Sequence, residues 1–201
     1  MAIVRNIHKL IDFFSSYTEL PIDPDDVRDK ILSYGIKDEI EFVGVDIDTR
    51  IIYGAFRQYI YRNAVYGEPI VHVDIYYDRS LTRDWKRVVC CKELLHMLDL
   101  SISRAATRED CENLVDHLAG LTMESPFSEE KLRAWNDELM LFYAMAVLLP
   151  WDARETLHED YSADKSRLPL IASSIDLPEP VVRFVLSDQW PGLYQTISGS
   201  K

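Results

Sequence analysis

The chain has 201 residues, 47% of them apolar and 28% charged, which is enough apolar mass to bury a core and excludes disorder or a collagen-like repeat. Its 22 basic and 34 acidic side chains leave a net charge of −12, so the chain lacks the basic surface that displaces counterions from nucleic acid. Such a field suits solubility or a basic partner surface. Three cysteines, Cys90, Cys91 and Cys111, have no framework spacing and read as reduced thiols. No stretch of about 18 apolar residues occurs, and charges interrupt the N-terminus, so a cytoplasmic protein without a membrane span is expected.

Along the chain, Ile3, Ile7, Leu10, Ile11 and Phe14 recur at helical spacing and predict an amphipathic helix. A second short helix begins at Asp25 and Asp26, carries Val27, Ile31 and Leu32, and stops at Gly35. From Glu41 to Asp78 the residues turn β-branched and aromatic, as strands prefer. The clearest strand is 70–76, where Val71, Val73 and Ile75 share one face, whereas 49–61 reads as a strand pair or partly helical. Helices are predicted at 82–99, 108–121, 128–149, 151–157, 166–175 and 179–187, with Pro126, Pro150 and Pro178 at boundaries. The expected architecture is α+β, a small antiparallel sheet followed by a helical bundle. It forms one domain of N-terminal helices (1–40), a core (41–155) and a helical tail (156–201).

The chemistry concentrates in the helix 82–99. At about 100° per residue, Trp85, Val88, Val89, Lys92, His96 and Asp99 fall on one stripe that starts apolar and turns polar. Polar groups that continue a buried face must be paired or serve a site, because unpaired burial is costly. The run Lys92-Glu93-Leu94-Leu95-His96 has the spacing of the zinc-peptidase motif H-E-x-x-H, with lysine in place of the first histidine. An ammonium offers donors and no lone pair, so it does not ligate zinc while charged. The structural alternative is a helix end closed by a Lys–Glu–His polar cluster.

Strand 70–76, the segment from Arg87 to His96, and the later run from Asp137 to Pro150 together resemble the ImmA/IrrE family. The resemblance covers about residues 65–155 in order and general spacing. It implies a zincin-like fold, with strand 70–76 as the edge strand above the cleft, and a family of soluble metallopeptidases that cleave helix–turn–helix repressors. It places Glu93 at the general base and His96 at the second metal histidine. Lys92 stands at the first histidine, and Leu139 falls where the third ligand, a glutamate, is expected. Glu138 and Asp137 are its neighbours in sequence.

Two of the three expected ligands are therefore absent. Asp99, Glu112, Asp116, His117 and Glu124 are other acidic or imidazole candidates for a rebuilt site, and Cys90 and Cys91 are expected to be packed thiols. With acidic neighbours, the Lys92 ammonium takes the place of the zinc charge and pairs with Glu93, Asp99 or Asp137. The tail from Arg167 to Leu186 has a helix–turn–helix look. It offers Arg183 and little else for reading DNA, so a packing role is expected.

Three functions follow. The first is a catalytically inactive, protein-binding regulatory module with no cofactor, whose partner is another protein such as a transcriptional regulator. It accepts an extended peptide beside strand 70–76. The second is an active zinc metallopeptidase with Glu93 as base and His96 plus Asp99, Asp137 or Glu138 on the ion. The third is an acidic inhibitory or interaction protein without metal, in which the motif is coincidental. None requires nucleic acid or a membrane.

Overall fold

A computed structural model describes residues 2–48, 52–62, 67–98 and 129–199, and side chains for all of these except 2–6 and 129–137. Helix α1 (Ala2–Ser15) buries Ile7, Leu10, Ile11 and Phe14, the stripe that its helical spacing demands. Helix α2 (Pro24–Leu32) starts where the Asp23 side chain accepts the Asp25 amide at 2.9 Å, with proline in the first turn and two acidic residues at its positive end. Just beyond it, Gly35 takes φ +89°, a conformation that suits glycine and turns the chain away.

Three strands follow: β1 (Glu39–Val45), β2 (Gly54–Tyr61) and β3 (Ile70–Asp78). Their order is β1-β3-β2. β1 runs parallel to β3, with Glu39 opposite His72 and Glu41 opposite Asp74. β2 runs antiparallel to β3, with Gly54 opposite Tyr77 and Tyr61 opposite Ile70. The sheet is therefore mixed, not antiparallel as expected. The reason is geometric: successive strands reverse direction, so inserting β3 between β1 and β2 aligns the first strand with the third. The same insertion makes β3 the central strand, not an edge, so no peptide can add beside it.

The core face of the sheet carries Val73 and Ile75, both fully buried, with Phe56 from β2. Against it lies α3 (Arg83–Leu95), which tightens into a 3₁₀ turn over His96–Leu98 instead of running regularly to residue 99. Val88, Val89, Cys90, Cys91, Leu94 and Leu95 are all buried, so α3 is covered on nearly every side and forms the axis of the fold. Its packing partners include the sheet, α2 and α4 (Glu129–Leu148). Arg87 fastens α3 to two distant turns: its guanidinium donates to the carbonyls of Ile175 (2.9 Å), Asp176 (2.5 Å) and Ile22.

The tail comprises α5 (Trp151–Ala163), α6 (Leu168–Ile175), α7 (Glu179–Val185) and α8 (Trp190–Ser198). α5 runs past the expected end at 157, and α8 is not expected from sequence. Pro191 and Gly192 look like breakers there, yet proline is tolerated in a first turn. The helix–turn–helix look of the tail resolves into packing, since Ile171, Ile175, Val181, Val182 and Val185 all enter the core while Arg183 stays exposed. The expected helix 108–121 lies outside the described residues. Among the described residues, no helix is long and apolar enough to cross a membrane.

Candidate functional site

The last turns of α3 bring together three of the side chains singled out by sequence. Lys92 Nζ lies 3.0 Å from Glu93 Oε1, and His96 Nε2 lies 3.9 Å from Glu93 Oε2. The first contact is an ion pair by distance, although its alignment falls short of a hydrogen bond. Glu93 is 3% exposed and His96 8%, so this carboxylate sits in the interior between an ammonium and an imidazole. Adjacent residues on a helix do not normally face each other; here the long lysine side chain folds back over its neighbour.

The start of β2 closes the space in front of Glu93. A Cβ on Gly54 would stand 2.4 Å from Val89 Cγ1, 2.8 Å from the Tyr76 carbonyl oxygen and 3.4 Å from Glu93 Cγ. Only a glycine lets the strand lie flat on the Val89–Glu93 turn. One alternation further along, the Phe56 ring stands 6.4 Å from the His96 ring, centroid to centroid. The core face of the sheet thus covers the carboxylate and the imidazole. Two cavities, of about 460 Å³ between α1, α5 and α8 and about 280 Å³ beside the α6–α7 turn, are lined by other residues.

The remaining candidates do not join this group. Glu138 is exposed on α4, and Leu139 is partly buried against the core with no atom that can ligate. Asp137 is within α4, but its side chain lies outside the described residues, as do Asp99, Cys111, Glu112, Asp116, His117 and Glu124. Cys90 and Cys91 are buried, and burial is the main cause that pushes the Cys90 thiol up to about 12 and raises that of Cys91 as well. Thiols held protonated in this way are neither ready ligands nor nucleophiles.

Among the described residues, these side chains do not make up a zinc ligand set: the Lys92 ammonium is engaged with Glu93, Leu139 has no atom that can ligate, and Glu138 is exposed. What the arrangement can do chemically is neutralise a buried carboxylate. A base that must take a proton from water needs access to water, and Glu93 has almost none.

No protein-family model matches the chain, and no curated protein matches it in sequence.

A second polar group stands on the opposite face of the sheet and is harder to read from sequence. His72, Asp74 and Tyr76 alternate with the buried Val73 and Ile75, so the strand pattern alone puts them on one face. Their cross-strand companions Glu39, Glu41 and Arg57 become visible only once the register is known.

Proposed function

We propose that this chain is a zincin-like scaffold whose catalytic position has been closed and which serves as a protein-binding regulatory module. The observation that carries this reading is the Lys92–Glu93 contact of 3.0 Å beneath Gly54 and Phe56. An ammonium beside the would-be base supplies positive charge without Lewis acidity, so it can hold the fold together and cannot activate water. The partner is a protein, and a transcriptional regulator is the class that the ImmA/IrrE resemblance implies.

With β3 enclosed, the docking edge moves to β2, which has a described neighbour on one side only. Tyr53, just before β2, and Ile60, near its end, are 52% and 69% exposed. An extended peptide added there would gain main-chain hydrogen bonds and contact these side chains. The charge of −12 favours a basic partner and makes the association sensitive to salt.

The test is partner capture by the full chain as wild type, Glu93→Gln and Ile60→Lys. Wild type and Glu93→Gln are expected to retain the same partner with the same affinity. Ile60→Lys, which puts a charge on the edge strand, is expected to lose it. Loss of the partner on Glu93→Gln, or turnover of the partner by wild type alone, would overturn the reading.

A further inference from the structure

The outer face of the sheet gathers one imidazole and three carboxylates. His72 Nε2 lies 3.1 Å from Asp74 Oδ1 and 3.8 Å from Glu41 Oε2, and His72 Nδ1 lies 3.5 Å from Glu39 Oε2. We propose that Glu41, His72 and Asp74 form a binding site for a divalent transition-metal ion of the zinc class. In it, His72 Nε2 and one oxygen from each carboxylate hold the ion, and the remaining coordination positions are open to solvent.

The distances suit this. Two ligands each about 2.1 Å from one zinc ion in tetrahedral geometry stand about 3.4 Å apart, and the 3.1 and 3.8 Å separations bracket that spacing. All three donor atoms lie within 4.8 Å of one another. They are held by regular strands: His72 and Asp74 are two apart on β3, and Glu41 is directly opposite Asp74 in the parallel register.

The surroundings of the donors have the form that supports a metal ligand set. Histidine ligands generally donate their second ring N–H to a carboxylate, which fixes the tautomer, and Glu39 stands on the Nδ1 side of His72. The free oxygen of Asp74 accepts a hydrogen bond from the Tyr76 hydroxyl at 2.7 Å, and Glu39 accepts one from the Tyr61 hydroxyl at 2.6 Å. The Tyr59 ring packs against His72 at 5.1 Å between centroids and limits its rotation.

Charge gives the second reason. Asp74 is 8% exposed and faces the carboxylate of Glu41 across the strands, a like-charged pair that destabilises a sheet. Arg57, opposite Asp74 on the other side, is the nearby guanidinium; it hydrogen-bonds Tyr76 and lies 5.0 Å over the Tyr59 ring. Among the described side chains named here, one cation stands against three carboxylates, and a dication between Glu41 and Asp74 removes the repulsion. The donor set, one imidazole with two carboxylates and no thiolate, selects zinc, manganese or ferrous iron over calcium or magnesium, which prefer oxygen alone.

The site is independent of the closed position on α3, and its test separates the two. Zinc chloride alone is titrated calorimetrically into the full chain at neutral pH, with circular dichroism on each variant. One ion per chain is expected, with Glu41→Gln, His72→Gln and Asp74→Asn each weakening binding at least about tenfold. Glu39→Gln, which changes the outer partner of His72 and none of the three donors, is expected to weaken it by about 10–100-fold. Glu93→Gln and His96→Gln are expected to bind as wild type does. Glu41 has a side chain 67% exposed, so its variant tests the site even where Asp74→Asn disturbs folding. Failure of wild type to take up zinc saturably, or uptake that survives Glu41→Gln and His72→Gln, overturns the proposal. Uptake that is instead lost in His96→Gln also overturns the closed reading of α3.

Discussion

An unpaired carboxylate as buried as Glu93 would be costly, and Lys92 Nζ at 3.0 Å is a cation that its own helix places beside it. Removing one partner of such a pair leaves an uncompensated charge, whereas replacing both with apolar groups does not. Lys92→Met is therefore expected to cost about 3 kcal/mol in urea unfolding, and the double variant Lys92→Met/Glu93→Leu to recover most of that loss. A neutral Lys92→Met would mean that something other than the ammonium supports Glu93. That Lys92 needs a counter-charge is legible in sequence, but Glu93, Asp99 and Asp137 are all candidates there. The choice of Glu93 is not legible, because adjacent helix residues do not normally face each other. The depth of burial is not legible, since it depends on Gly54 arriving from a strand almost forty residues away. His72 and Asp74 divide in the same manner: their alternation with Val73 and Ile75 is local, but the placing of Glu41 opposite Asp74 is a matter of register.

Among the elements, β2 and α3 form the contact that buries Glu93 and on which the proposed closure rests. Gly54→Ala would place a Cβ within 2.4 Å of Val89 Cγ1 and 2.8 Å of a main-chain oxygen, and the second of these cannot be relieved by a rotamer change. Overpacking of this kind typically costs about 1–3 kcal/mol, and denaturant unfolding of Gly54→Ala is expected to show a loss of that size. An unchanged midpoint would show that β2 does not rest on the Val89–Glu93 turn so closely. Helices α1 and α2 are readable from the 3.6-residue period of their apolar residues and from Pro24 and Gly35. The sheet is readable as strands but not as a topology. Nothing in the residues of β1 announces that it will pair in parallel with the third strand, because pairing is decided by which faces the helices cover. The 3₁₀ turn at His96 and the proline-led start of α8 escape a reading that treats helices as uniform and prolines as stops.

For the whole molecule, the mixed α+β architecture places α3, largely buried among the described residues, against the three-stranded sheet, with α2 and α4 also packed on it. That arrangement separates two polar groups that a linear sequence cannot separate. One faces inward from α3 and is neutralised by its own lysine; the other faces outward from the sheet and carries an excess of carboxylates. The net charge of −12 is therefore not spread evenly in its consequences: inside, a carboxylate is matched, whereas on the outer sheet face several remain to meet a cation. Whether the position on α3 is closed is tested most directly by hydrolysis. Wild type and Glu93→Gln, each as the full chain supplied with zinc, are followed against an unfolded polypeptide by mass spectrometry. Closed chemistry predicts the same background trace from both proteins. Zinc-dependent cleavage by wild type that disappears in Glu93→Gln would contradict it.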